Sequence, residues 1–528
     1  MATTIKKVLK NNCYSRSFLP VARSFAGAML LLSFHSYAGD WKITPSLNLQ
    51  ETYTDNVRLA TSGNEKSDFI TQINPGISVS GTGSHLKLNG SYTMQNIFYA
   101  SDSGSNSINH QLSANGNVEL LDDLFFVDGR ASISQQNISA FGPQTTDNTN
   151  ITGNRTDVKT YSISPYIHLH FKNFASLESR YTHDAVSTGS GGLSDSQSDR
   201  ILLSLNSGTD FGRLGWGLNY SKQRIGFASQ SSTTQPNVDL ETYSGNLSYR
   251  VTPQFSLTAT GGEEKNNYLS LTGKSGGTFW TGGFEWKPSQ RTSISASAGQ
   301  RFFGNTYALK VDHRSRRTLW SVDYSEDITT TRDQFLIPAS IDTAEFLVNS
   351  HLFDFLPEAQ RLAAAEAFIK FNGLPSALAE NINFFTNRFF LQKRLQASVS
   401  VTGTRNTIIL SFVDTSREAQ TSQAADSQLL GPSSLSLNDN TNSVGVNALW
   451  NLRISPQTNA NLSAGFTRTT SDATNRQDDF KTLRISLTKQ FQPKLNGMIE
   501  LRHNENDSNQ ANSGYSENAI TASVNMNF

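Results

Sequence analysis

Apolar and polar side chains alternate along most of this chain, and this alternation restricts its fold more than any other feature. Because successive side chains of a β-strand point to opposite faces, an alternating segment predicts a strand with one apolar and one polar face. The pattern begins near the N-terminus and recurs to the end of the chain, for example at Trp41, Ile43, Leu47 and Leu49, at Tyr161, Ile163, Ile167 and Leu169, and at Val444, Val446, Ala448 and Trp450.

The lengths of these segments and of their connections indicate a membrane barrel. About 22 segments of roughly 9–14 residues alternate in this way, a length that suits tilted strands crossing a bilayer. Short links such as 122–123 and 172–173 take turns with longer polar links such as 137–156 and 185–197. Short periplasmic turns and long extracellular loops are typical of outer-membrane barrels. We therefore predict an all-β fold over residues 39–528, a transmembrane antiparallel β-barrel of about 22 strands.

Composition agrees with a barrel better than with a soluble β-protein. The hydrophobic content is 36% and the mean hydropathy is −0.41, both low for large packed cores. Many aromatic residues, few prolines and a net charge near zero argue against disorder. No run of 18 apolar residues offers a membrane-spanning helix, which leaves strands as the way to cross. A soluble β-solenoid would need a fixed short repeat, which the sequence lacks.

Residues 1–38 predict a secretory signal peptide that is cleaved after Ala38. Five basic residues precede the apolar stretch 24–34, and Ser36-Tyr37-Ala38 is a small-x-small cleavage site. An uncleaved anchor is the alternative, but the uncharged run is shorter than the roughly 18–20 residues that span a bilayer. Cys13 lacks the small apolar residues that precede a lipoprotein cysteine, so lipidation is not expected. We predict Sec-dependent secretion and a location in the cell outer membrane.

Removing the signal peptide leaves 39 lysines and arginines against 44 aspartates and glutamates. No basic patch remains that would favour a nucleic-acid partner. At the other end, alternation continues through Val524 and Met526 to Phe528, the last residue. A terminal aromatic residue that ends an alternating strand resembles the signal recognised by the β-barrel assembly machinery. Phe528 is therefore the predicted assembly signal, with that machinery and outer-membrane lipid as partners.

The alternation fails between residues 329 and 387, and part of this insert predicts a helix. Pro357 suits the first helical position and Gly373 suits a helix stop. An apolar stripe at helical spacing follows Pro357, formed by Leu362, Ala365, Phe368 and Ile369. By the alternation of the links, the insert joins strands on the extracellular side. Three roles remain open for this helix: packing on loops, plugging or gating the lumen, and docking another protein.

No motif in the sequence predicts catalysis or a cofactor. His168 and His170 share one polar face, but no third ligand follows at a useful spacing for a metal. The His-Glu-x-x-His and Gly-x-Ser-x-Gly motifs are absent, as is a phosphate-binding loop. Luminal carboxylates could serve a barrel hydrolase, but such barrels are usually much smaller. We expect neither an enzyme nor a cofactor.

The polar faces carry charges of both signs among many Ser, Thr, Asn and Gln residues. This composition predicts a hydrated wall without a strong ion preference, one that can hydrogen-bond sugars. The cationic residues are Lys42, Lys87, Arg130, Arg180, Lys310, Arg394, Arg484 and Arg502; the acidic ones are Glu119, Asp128, Glu178, Glu285, Asp312, Asp323 and Glu500.

Several stretches together resemble one known family. They are residues 324–332, the helical insert, and residues 387–398 and 404–407, with weaker matches at 40–41, 53–56 and Phe528. This pattern is similar to the outer-membrane β-barrel family associated with the PEP-CTERM/exosortase protein-sorting system. That family is encoded near exopolysaccharide genes, so the resemblance implies a role in the export of polysaccharide or of sorted proteins. It implies no catalytic or binding residue.

We expect an outer-membrane channel or export component linked to exopolysaccharide production, with exopolysaccharide or its export proteins as partners. A general or solute-specific diffusion porin is the first alternative, and a structural or adhesin-like barrel is the second. A TonB-dependent transporter is disfavoured, because strands are expected to begin at Trp41 and leave no room for an N-terminal plug domain.

Overall fold

The computed structural model describes residues 40–189, 195–227, 237–336, 385–421 and 439–528, with isolated positions between 341 and 379 and residue 437. The predicted signal peptide and its cleavage after Ala38 lie outside the described residues. None of the helices described is long and apolar enough to span a membrane.

The described chain forms one closed antiparallel sheet of 22 strands. Its first fifteen strands follow one another in sequence: β1 (Asp40–Thr54), β2 (Asp68–Thr82), β3 (Leu86–Tyr99), β4 (Ser107–Leu121), β5 (Phe125–Asn137), β6 (Arg155–Phe171), β7 (Ala175–Thr188), β8 (Ser196–Ser207), β9 (Leu214–Phe227), β10 (Val238–Thr252), β11 (Phe255–Asn266), β12 (Gly277–Ser289), β13 (Thr292–Arg301), β14 (Gly304–Arg314) and β15 (Thr318–Thr329).

Helix α1 (Thr331–Leu336) follows β15, and a small separate sheet pairs β16 (Ile341–Asp342) with β17 (Ala377–Ala379). The barrel then continues next to β15 with its last seven strands: β18 (Phe390–Thr402), β19 (Asn406–Ala419), β20 (Asn440–Ser455), β21 (Thr458–Ser471), β22 (Arg476–Gln492), β23 (Leu495–Ser508) and β24 (Tyr515–Asn527).

The first and last strands close the barrel. β1 pairs with β24 from Ser46↔Asn527 to Thr54↔Ala519. Beyond the last paired residue, the backbone N–H of Phe528 donates to the carbonyl of Pro45 at 2.9 Å. Because every strand of the barrel then has two neighbours, the barrel has no sheet edge left to meet lipid. The predicted fold and the predicted strand number of 22 are confirmed.

The two faces of the wall follow the alternation of the sequence. On β24, Ile520 and Val524 are exposed outward, whereas Glu517 and Thr521 are buried on the luminal side. The outward face also carries exposed tryptophans, namely Trp41, Trp280, Trp286, Trp320 and Trp450. An apolar outer band with aromatic residues fits the hydrocarbon and interfacial layers of a bilayer.

The connections at the two ends of the barrel differ in length. At the end that carries both termini of the barrel they are tight turns, some of which use positive φ angles, such as 54° at Asp123 and 49° at Lys172. At the opposite end most are long, for example 138–154 and 330–389, and the long loops of outer-membrane barrels are the extracellular ones. The β21–β22 link comprises only residues 472–475, because both strands extend further than the sequence pattern predicts.

Candidate functional site

The β5–β6 connection folds into the lumen. We call residues 138–154 the inner loop. Four strands separate β5 from β24 around the wall, yet Gln144 of this loop exchanges two hydrogen bonds with the Tyr515 hydroxyl of β24, at 2.8 and 2.9 Å. The N–H of Ile151 donates to the carbonyl of Val57, beyond β1, at 2.8 Å. The inner loop therefore covers the sector of the lumen between β5 and β24.

A buried charge cluster holds the middle of the inner loop. Arg502 of β23 is 1% exposed and pairs with Asp147 of the loop. The same guanidinium contacts Glu517 of β24 at 2.8 Å, and Glu517 is fully buried. Three more donors bind the Glu517 carboxylate at 2.8–2.9 Å, namely Thr54, Asn150 and Asn504. Each charge in the cluster is thus paired and hydrogen-bonded, as burial requires.

A second arginine supports the same loop. Arg484 of β22 donates to the Thr146 hydroxyl and lies 3.8 Å from Glu500. Burial would raise the pKa of the Asp147 carboxyl. The nearby guanidinium groups and the hydrogen bonds from Thr149 outweigh burial and hold that pKa well below its usual range. Asp147 is therefore an anion at neutral pH, and the loop is bound to the wall by charge.

Helix α1, which follows β15, also enters the lumen. β15 and β7 are separated by seven strands, but Arg332 of α1 forms a buried ion pair with Asp184 on the luminal face of β7. Gln334 donates to Gln392 of β18 and accepts from Arg417 of β19, both at 2.9 Å. The start of the β15–β18 connection is therefore tied to two distant parts of the wall.

The end of that connection meets the inner loop. Phe385 is 2% exposed and packs with Val158 and Val186 on the luminal faces of β6 and β7. Its N–H donates to the carbonyl of Ile138 at 3.1 Å. The rings of Phe335 and Phe385 lie edge to face, with centroids 4.9 Å apart. Both ends of the β15–β18 connection therefore converge on one apolar cluster inside the barrel.

The predicted helical stripe is described in part. Residues 361, 362, 365 and 369 are helical. Ala365 and Ile369 are 0% and 8% exposed, whereas Leu362 is 39% exposed, and Phe368 lies outside the described residues. β17, which follows the stripe, lies within 8 Å of β19 and β20, measured between Cα atoms.

The β11–β12 and β19–β20 connections contact the end of the β15–β18 connection. Phe389 stacks on Tyr268 of the β11–β12 loop with ring centroids 4.6 Å apart. Arg388, which is 2% exposed, pairs with Asp439, the residue before β20, and donates to the carbonyl of Thr421 at 2.9 Å. Leu437 packs against Phe141 of the inner loop. Among the described residues, the β11–β12, β15–β18 and β19–β20 connections are thus in contact with one another, and the last of these also contacts the inner loop.

His168 and His170 were considered above as possible metal ligands. The rings of His168 and His170 are 4.3 Å apart, and no acidic or histidine group completes a three-ligand set with them among the described residues. Such a set exists elsewhere in the described chain, formed by His85, Glu119 and Asp122, with His85 Nδ1 3.7 Å from a Glu119 oxygen and 3.6 Å from an Asp122 oxygen. Asp122 is mostly exposed; His85 and Asp122 lie in neighbouring turns, and Glu119 lies near the end of β4.

Neither a protein-family model nor a curated protein sequence matches this chain. Among solved structures, the FrpB iron transporter from Neisseria meningitidis (F5-1 variant) is similar at 10% identity and a TM-score of 0.49, covering 93% of this chain and 83% of that one. The siderophore receptor PirA from Pseudomonas aeruginosa is similar at 10% identity and a TM-score of 0.46, covering 92% and 80%. At this distance the similarity concerns fold alone, and the chain is a closed 22-stranded β-barrel of the outer-membrane type.

Proposed function

We propose that this protein is a non-enzymatic outer-membrane passage for exopolysaccharide, closed on its extracellular side at rest. The observation that carries the proposal is the attachment of the inner loop inside the lumen by buried charges, in which Arg502 holds the loop through Asp147. On the other side, Arg332 of α1 is held by Asp184. Breaking a buried ion pair costs about 3–5 kcal/mol, which the binding of a substrate or partner protein can supply. Such an attachment is strong enough to hold the loop inside the lumen at rest and weak enough to be released by binding.

The β15–β18 connection is the proposed plug. Its two described ends are fixed inside the barrel by the Arg332–Asp184 pair and by the burial of Phe385. Ala365 and Ile369 are buried, which agrees with a helix whose apolar stripe is covered at these two positions, whereas Leu362 is partly exposed. Of the three roles left open by the sequence, plugging or gating the lumen is the one that these contacts favour.

The accessible polar side chains of the luminal wall are consistent with a polymer that enters from the periplasm. Lys42, Lys87 and Lys310 lie on the luminal faces of β1, β3 and β14 and are exposed to solvent. The inward-folded connections described above all start at the extracellular rim. A polymer that arrives from the periplasm therefore meets an accessible polar wall first and the closure last, which is the order that export requires.

The polar wall also fits a diffusion porin, which remains the second candidate. Reconstitution of the purified protein in planar bilayers separates the two. We expect low resting conductance that rises when the Arg502 or Arg332 contacts are removed. Steady high conductance of the wild-type protein without any partner would favour the porin.

The assignment of exopolysaccharide as the substrate is tested in the cell. The family resemblance supports this substrate and also a link to the PEP-CTERM/exosortase system. Deleting the gene should reduce extracellular matrix polysaccharide and leave polymer in the periplasm, and expression of the wild-type chain should restore secretion. Unchanged matrix polysaccharide in the deletion strain would remove this substrate from consideration.

A further inference from the structure

An aromatic pair lies on the luminal wall, in the half of the barrel near the periplasmic turns. Phe126 of β5 and Tyr166 of β6 are stacked, with ring centroids 5.0 Å apart and an angle of 15° between the planes. Neighbouring luminal positions on the same strands are polar, such as Asp128 and His168. Aromatic rings of membrane barrels are usually placed at the lipid interface, so a half-buried phenylalanine in a hydrated lumen calls for another explanation.

Charged side chains fix the position of the pair. Arg180 lies on β7, and its guanidinium carbon is 3.8 Å from the centroid of the Tyr166 ring. Arg180 is in turn held by Asp128 at 2.6 Å and by Glu178 at 2.9 Å. Tyr166 is thus in contact with both an aromatic ring and a guanidinium group, an arrangement stabilised by the attraction between the cation and the ring.

Hydrogen-bonding groups surround the rings. Asn117 of β4 donates to Asp128 at 2.6 Å and lies 3.4 Å from the Tyr166 hydroxyl. Glu119 is the register partner of Phe126 on β4. Asp128 and Glu178 are each about one-third exposed, so their remaining lone pairs are accessible from the lumen.

A sugar ring matches this combination of groups. A pyranose presents an apolar C–H face that packs on an aromatic ring, and hydroxyls at its edge that donate to carboxylates and amides. The cluster holds one cation and at least two carboxylates, so it disfavours an acidic sugar. We propose that Phe126, Tyr166, Asp128 and Asn117 form a binding subsite for a neutral pyranose unit, with Arg180 as a positioning residue. This inference rests on the proposed export function, since it names the first contact of the polymer on its way from the periplasm.

Binding to the purified, folded protein tests the subsite independently of secretion. Maltohexaose and cellohexaose are the neutral probes, hexagalacturonate is the acidic one, and binding is followed by calorimetry and saturation-transfer NMR. We expect at least one neutral probe to bind the wild type. Phe126→Leu keeps apolar volume but lacks the ring, and it should weaken that binding by about tenfold, or ~1.4 kcal/mol. Phe480→Leu, a luminal phenylalanine on β22, is the matched control and should bind as the wild type does.

Three outcomes would overturn the subsite: no binding of either neutral probe, equal binding by Phe126→Leu and the wild type, or tighter binding of hexagalacturonate. Asp128→Asn is a second variant with nearly unchanged volume, and it should also weaken neutral binding if the carboxylate accepts sugar hydroxyls. Heat-modifiable migration on gels checks that each variant is folded. Because export is measured in the deletion strain and binding is measured in vitro, failure of the subsite is distinguishable from failure of the proposed function.

Discussion

Arg502 of β23 and Asp147 of the inner loop are 355 residues apart in sequence and form an ion pair inside the lumen. The same arginine contacts Glu517, whose carboxylate accepts from Thr54 across the β1–β24 junction at 2.9 Å. Thr52 and Thr521 make a second hydrogen bond across this junction, also at 2.9 Å. Glu517 therefore belongs both to the cluster that holds the inner loop and to the side-chain contacts across the β1–β24 junction. One cluster thus contributes to the junction that closes the barrel and to the attachment of the inner loop.

Replacing Arg502 should release the inner loop. Arg502→Gln removes the partner of Asp147 and leaves Glu517 buried without its cation, a loss of about 3–5 kcal/mol in local stability. We expect higher single-channel conductance in planar bilayers and faster proteolysis within residues 138–154. Heat-modifiable migration should persist at a lowered transition temperature, because the strand pairing is unchanged.

Arg468→Gln is the matched control for this experiment. Arg468 of β21 forms a bidentate pair with Asp479 on the outer face near the extracellular rim, at 2.6–2.8 Å, and its side chain is 47% exposed. Exposed pairs contribute about 0–1 kcal/mol, so conductance and proteolysis should match those of the wild type. Equal conductance in Arg502→Gln and Arg468→Gln would contradict a role for the buried cluster in closure.

The closure should withstand mild acid. The pKa of Asp147 is held well below its usual range in the closed state, so its pairing energy is fully present above about pH 4 and is lost only as the pH falls through the depressed value. We expect constant conductance between about pH 7 and pH 4 and opening only in stronger acid. Asp147→Asn should conduct more at neutral pH and lack that acid-induced rise. Opening of the wild type at about pH 5–6 would point to another titrating group.

The strands were predictable from the sequence because the alternation of apolar and polar residues is a local property. Ile520 and Val524, for example, face outward as the alternation predicts. The inner loop was not predictable in the same way. Residues 137–156 have the polar composition of any extracellular loop, and their inward course depends on Arg484, Arg502 and Glu517, which lie more than 300 residues later. The sequence indicated that the two arginines face the lumen, but charge patterning alone could not identify the loop as their partner.

Deleting Phe528 should lower the yield of assembled barrel. Its side chain is 58% exposed on the outer surface, so it contributes little packing, but its N–H bond to Pro45 extends the β1–β24 junction. We expect less heat-modifiable protein in outer-membrane fractions and normal stability of the molecules that do assemble. Phe528→Tyr keeps a terminal aromatic and serves as the control. Normal insertion of the deletion variant would exclude the terminal residue as an assembly signal.

Removing the middle of the β15–β18 connection should widen the pore. The ring centroids of Phe335 and Phe385 are 4.9 Å apart, so a short Gly/Ser linker can replace residues 342–381 while α1 and Phe385 remain in place. The deleted segment includes Ala365 and Ile369, which are buried. Burying a side chain such as that of Ile369 contributes about 1.5–3 kcal/mol, so the deletion removes a stabilising contact of the closed state.

We expect this deletion variant to remain heat-modifiable and to show larger conductance than the wild type. Asp184→Asn is the complementary variant, because it weakens the attachment of α1 through Arg332 without removing any chain. It should give intermittent openings, since the plug remains tethered at the Phe385 end. If the folded deletion variant conducts as the wild type does, the segment does not obstruct the lumen, and its buried helix must instead pack on loops or dock a partner. An additive increase in the deletion combined with Arg502→Gln would show that the plug and the inner loop obstruct separate parts of the pore.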